Sequence, residues 1–219
     1  MHKVLDFIKK NKQFSFFLLL VILLALITIF APVIAPQNPY ASDLKNALQP
    51  PSSDHWFGTD KLGRDIFSRV IYASRSSLPA TLILVVLIFA IGTLLGTLAG
   101  YFGGWIDAVI MRISDMMISF PGMVLAIAVA GIMGASVKNA VIAVAVVSWP
   151  KYARLARSLV MKIRHEDYIY AAIVTGSKTS YILRKYMLPN IIPTLIITAA
   201  TDIGGMMLEL AGLSFLGFG

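Results

Sequence analysis

Of the chain's 219 residues, 58% are hydrophobic and only 14% charged, with a mean hydropathy of +0.79. A soluble domain carries about 25% charged residues, so the composition excludes an ordinary water-soluble globule, while the absence of cysteine excludes disulfides, thiolate zinc sites and cysteine-ligated iron–sulfur clusters. The formal charge of +8 sits in polar gaps between apolar stretches, where membrane topology and anionic lipid account for it and nucleic-acid binding does not.

Lys3, Lys9, Lys10 and Lys12, set against Asp6, precede an apolar run over 14–35. That run is long enough for a hydrocarbon core needing about 20 residues and exceeds the roughly 7 to 15 of a signal-peptide core. A polar segment follows, then four more predicted spans at 79–102, 113–133, 139 to about 155, and 189–210. Residues 36–79 carry five basic against four acidic groups, whereas 151–185 carry eight against Glu166 and Asp167. The positive-inside rule therefore puts the N-terminus and the 151–185 loop in the cytoplasm and 36–78 outside. Five crossings leave the C-terminus outside, so the expectation is a multi-span all-α bundle whose last span is missing. Its parts are a first helix within 1–35, an outer segment 36–78, and a core 79–219 with a cytoplasmic loop at about 158–188.

Within the second span, Gly92, Gly96 and Gly100 form a small-residue stripe suited to close helix packing, inside one subunit or between two. Pro121-Gly122 and Trp149-Pro150 interrupt the third and fourth spans, at helix breaks or span ends. The fifth span carries Asp202 and Glu209, read as the acidic groups at membrane depth; seven residues apart, they project from one face with Met206 between. Asp202, Met206 and Glu209 are accordingly the candidate lining of a cation-friendly path.

Two segments carry motifs. In the outer one, Gly58-Thr59-Asp60-Lys61-Leu62-Gly63-Arg64-Asp65 precedes Phe67-Ser68-Arg69. Thr59 or Asp60 is expected to cap a surface helix whose apolar face is Leu62, Ile66, Phe67, Val70 and Ile71, with Asp65 and Arg69 paired four residues apart. In the basic loop, Tyr170 and Ala171-Ala172 are followed by Gly176 and then Leu188-Pro189. Small alanines admit another protein's surface, Gly176 can take a positive φ, and Pro189 suits a helix's first turn.

The Ala-Ala, Gly and Leu-Pro spacing resembles the docking loop of ABC importer permeases, with Tyr170 where that family often has Glu and Tyr186 where it has Ile. Gly58, Thr59, Asp60, Gly63, Arg64, Asp65, Ser68 and Arg69 resemble the signature of the C-type subunit in its dipeptide, oligopeptide and nickel branch, and the closing Leu213-Ser214-Phe215-Leu216-Gly217 extends the likeness. The resemblance implies a multi-pass cell-membrane permease with a second permease subunit, two ATPases that bind ATP and Mg, and an extracytoplasmic substrate-binding protein. It assigns docking to Tyr170, Ala171, Ala172, Gly176, Leu188 and Pro189. The wording of 202–208 leans towards nickel or a nickel chelate as substrate, with dipeptides or oligopeptides as the alternative.

Catalytic and stable metal sites are not expected. Gly176-Ser177-Lys178-Thr179 lacks the glycine spacing of a phosphate-binding loop, His2, His55 and His165 are scattered, and no serine sits in a nucleophile elbow. An ATPase-independent channel or secondary transporter would predict repeats and buried charges in several spans, and an assembly protein without transport leaves the basic alanine loop unexplained.

Overall fold

A computed structural model describes residues 10–218, in two compact units that divide between Leu78 and Pro79. The charges at Lys3, Asp6 and Lys9, and the final Gly219, lie outside the described residues. In the first unit α1 spans Lys12–Ile34. Phe17, Leu19 and Val33 stand exposed all around it, the pattern of a helix whose solvent is lipid.

Helix α2 runs over Ile66–Phe102, 37 residues, or about 55 Å at 1.5 Å per residue. The separate surface helix expected before the second span is instead the first turns of this one helix. Leu62 lies in the turn ahead of it, Ile71 is buried and Val70 exposed, so the five expected residues do not share a face. Pro79 is accommodated inside the helix.

In the second unit, α3 (Gly104–Ile118) and α4 (Gly122–Met133) replace the expected third span. They are bent by 94°, because proline has no N–H to donate and pushes the residue before it out of the helical region; here those residues are Phe120 and Pro121. Trp149-Pro150 produces no such break: α5 (Val137–Arg164) passes straight through it. Ser136 caps α5 by accepting from the Asn139 amide at 3.1 Å. This helix is the core's axis, burying Ala143, Val144, Tyr152, Ala156 and Val160 against Leu84, Ile88, Ile191 and Leu195.

Helices α6 (Asp167–Val174) and α7 (Thr179–Ile182) follow, then a π-turn, Leu183–Met187, that opens into α8 (Leu188–Phe215). Among the described residues, three segments are long and apolar enough to cross a membrane, 12–34, 66–102 and 179–215, or four if the bent α3–α4 pair counts as one. The expected fourth span, now within α5, is long enough but falls short in apolarity. Lys151 and Arg154 lie in its last turns, and its alanine and valine face is buried against protein.

The glycine stripe resolves to packing within the subunit. A Cβ added at Gly92 would lie 2.7 Å from the Trp149 carbonyl oxygen, at Gly96 2.8 Å from Ala156 Cβ, and at Gly100 2.8 Å from the Arg157 carbonyl oxygen. The stripe is thus the seam along which α2 meets α5 backbone to backbone.

Candidate functional site

The signature residues of 58–69 form a hydrogen-bonded knot. Gly58 and Gly63 have φ of +74° and +73°, and a side chain at either would collide with the carbonyl oxygens of Gln49 and Asp43 respectively. Thr59 does not cap a helix; its Oγ1 donates to the Asn46 carbonyl and accepts from the Gln49 amide at 2.8 Å. Asp60 accepts from the amides of Leu62 and Arg64 at 2.9 and 3.0 Å and from Arg64 Nε at 2.8 Å. The cap of α2 is Asp65, whose Oδ2 accepts from the Ser68 amide at 2.7 Å.

The expected Asp65–Arg69 pair does not form. Asp65 Oδ1 meets His55 Nδ1 at 3.1 Å, and Arg69 turns to Asp60 at 3.6 Å. Capping draws the Asp65 carboxylate into the helix start, out of reach of the next turn. Burial pushes the Asp60 carboxyl up, but the Arg64 hydrogen bonds outweigh it and hold the group at about 2. Burial likewise opposes ionisation of Asp65, and the bonds from Ser68 and His55 keep it below the usual carboxylate range.

The basic loop forms an elbow. Gly176 takes φ +80° as its sequence context suggests, its amide donates to Ile173 O at 2.9 Å, and the Ser177 amide closes on Ala172 O at 3.0 Å. This ends α6 in the Schellman manner. The paired alanines do not act together: Ala171 is exposed, whereas Ala172 is only 6% exposed and belongs to the core. A larger side chain at Ala172 would strain packing before it met a partner. Tyr170 is exposed, its hydroxyl 3.1 Å from His165 Nδ1. Tyr186 sits with its ring centroid 6.1 Å from Tyr168 and 5.9 Å from Tyr181, an aromatic clasp across the elbow. Pro189 occupies the first turn of α8 as expected. The π-turn before it occupies the stretch where an α-helix would set the proline ring against the Lys185 carbonyl. The loop's start is corrected too, since 158–164 is the end of α5.

A third arrangement was not foreseen. Lys151, Arg154 and Arg157 step along α5 every third residue, each position about 60° around the axis from the last, and so reach different neighbours. Lys151 Nζ bonds both oxygens of Asp202 on α8 at 2.6 and 2.7 Å, and the Tyr152 hydroxyl donates to Asp202 at 2.9 Å. Arg154 bonds Asp115 at 2.5 Å and Ser114 at 3.2 Å on α3, and Arg157 clamps Asp107 with two guanidinium nitrogens. Asp115 lies inside the expected third span, so Asp202 and Glu209 are not the acidic groups of the spans by themselves. Of the eight cations of 151–185, three are paired with acids of α3 and α8. The regular spacing of the three cations, with acids at matching depth in flanking spans, was the available signal.

Met206 is buried with the core, while Glu209 is half-buried with no hydrogen bond among the described residues, so the three candidate path residues do not line one open face. No group of three metal-ligating side chains converges among the described residues. A helical bundle of apolar spans with a glycine-stopped basic elbow has the architecture of a membrane permease core.

Residues 92–219 match the family described as binding-protein-dependent transport system inner membrane component, and residues 2–51 match the N-terminal transmembrane domain of oligopeptide transport permease C. The chain belongs to this family of ABC importer permeases, as a C-type subunit. It is 43% identical over 97% of its length to the dipeptide transport system permease protein DppC of Alkalihalophilus pseudofirmus, covering 70% of that protein. It is 44% identical over 91% of its length to the probable D,D-dipeptide transport system permease protein DdpC of Escherichia coli K12, covering 67%. To the nickel transport system permease protein NikC of the same strain it is 39% identical over 92% of its length, covering 73%.

Proposed function

We propose that this chain is the permease subunit of an importer for short peptides, driven by ATP hydrolysed with Mg on two partner ATPases. A second permease subunit and an extracytoplasmic substrate-binding protein complete the assembly, in the cell membrane with the N-terminus in the cytoplasm. The observation that carries the substrate class is the pairing of Lys151 with Asp202. Asp202, a candidate lining of a cation path, already has a cation beside it: Lys151 Nζ lies 2.6 Å away, and the Lys151 side chain is 56% exposed. A wall presenting an ammonium, a neutralised carboxylate and the half-buried Glu209 matches the two termini of a free peptide better than it matches a bare divalent cation. Two relatives named for dipeptide transport, at 43% and 44% identity, support the same reading.

In this reading the elbow of Tyr170, Ala171, Gly176, Leu188 and Pro189 receives the ATPase, with Ala172 as the packed side of the same turn. The eight signature residues hold the outer segment's shape. Uptake of a radiolabelled dipeptide and of radioactive nickel, measured in one reconstituted system with its own binding protein, tests the substrate. Dipeptide uptake without nickel uptake is expected; the reverse rejects the proposal.

A further inference from the structure

Just past the Gly176 turn the chain closes round a hollow of about 810 Å³, where Lys178, Arg184 and Lys185 stand with two serines and two tyrosines and no acidic residue takes part. All three cations are exposed, and none has a carboxylate partner among the described residues. In this they differ from Lys151, Arg154 and Arg157 of α5, each of which is paired. The loop's own acids, Glu166 and Asp167, stand at the far end of α6, eight residues or about 12 Å of helix from the turn. Immediately ahead of the turn, Ile173 is 48% and Val174 86% exposed, so an apolar knob precedes the cationic hollow.

We propose that this hollow receives an acidic segment of the partner ATPase, two or more Asp or Glu side chains, with Ile173 and Val174 as the apolar part of the same contact. The proposal rests on the elbow being the docking element and names the chemistry that the partner must bring to it. Charge carries the argument. Three cations within 178–185 share one concavity, and their mutual repulsion is relieved only when carboxylates sit between them. Ser177, Ser180, Tyr181 and Tyr186 add hydroxyls, which are donors suited to carboxylate oxygens. An anionic lipid fits less well, because no aliphatic side chain lines the hollow and an acyl chain has no wall to follow.

The test uses the intact importer, with its two ATPases, in phosphatidylcholine nanodiscs. A water-soluble carbodiimide joins a lysine nitrogen to a carboxylate carbon with loss of water, and mass spectrometry of the products should find Lys178 or Lys185 linked to an Asp or Glu of an ATPase. When the ATPases are added separately, Lys178→Gln/Arg184→Gln/Lys185→Gln should weaken their binding about tenfold at low salt and remove most of the salt dependence of the parent. Lys178→Arg/Arg184→Lys/Lys185→Arg keeps the charges and should bind as the parent does, which separates loss of charge from misfolding. A photo-crosslinker replacing Ala171 reports on docking independently. ATPase capture there without a carbodiimide product at Lys178 or Lys185 overturns the acidic partner and leaves docking standing; capture at neither overturns both. Carbodiimide products confined to Glu166 and Asp167, capture of phospholipid by a photo-crosslinker replacing Tyr181, or unchanged low-salt binding in the glutamine variant would also overturn the proposal.

Discussion

Replacing Asp202 by asparagine removes the negative charge and one of the two oxygens that accept from Lys151 and Tyr152. Because Lys151 is more than half exposed, the stability loss should be modest, about 1 kcal/mol. The Lys151→Met/Asp202→Leu double variant should be less destabilised than the sum of the singles, which a thermal-melt double-mutant cycle checks. At Asp60 the lowered carboxyl pKa gives a signed pH effect. Its ionised form stabilises the fold fully above the unfolded value of 3.8 and ceases to do so as pH falls through about 2. Melting temperature should therefore drop between about pH 4 and 2 more steeply in the parent than in Asp60→Asn. At this scale the sequence located the chemistry better than the partners. The acids were visible, but whether Asp65 bonds Arg69 or His55 depends on where the helix starts, and that was set by Asp65 itself acting as the cap.

Elements are where pattern and structure agree most closely, and where they part for identifiable reasons. Gly176→Val would place a β-branched residue at φ +80°, at a cost of about 1–2 kcal/mol; uptake should fall while subunit abundance, read by immunoblot, stays near normal. Ala171→Trp should behave the same way, whereas Ala172→Trp should reduce abundance itself, since only Ala172 is packed. In the α2–α5 seam, Gly96→Ala should lower stability by about 1–3 kcal/mol, measurable as a melting shift, because the added carbon meets the backbone of Ala153. The apolar runs of α1, α2 and α8 were legible from composition. The bend at Phe120-Pro121 and the passage through Pro150 were not distinguishable in advance, because tertiary packing along one face of α5 holds the helix together across its proline, and the pattern of single residues does not show that packing.

For the whole molecule, the paired cations of α5 weaken the charge argument for orientation without reversing it. Lys162, Arg164, Lys178, Arg184 and Lys185 remain outside the three pairs. Cysteines at Ser53 and Ser177 should accordingly label from opposite sides of the membrane with an impermeant thiol reagent in intact cells, Ser53 alone reacting from outside. The three cations also sort the helices of the second unit into those that travel together and those that can slip. Charged clamps fasten α3 and α8 to α5, whereas α4 meets α5 through small apolar side chains such as Ala126 and Ala130. Apolar contacts between small side chains set no single register along a helix axis, whereas a cation paired with one carboxylate does, even where partial exposure keeps its energy small. A stroke arriving at the elbow would therefore carry α3, α5 and α8 as one lever arm and leave the slack at the hinge between α3 and α4, far along the chain from where the force is applied.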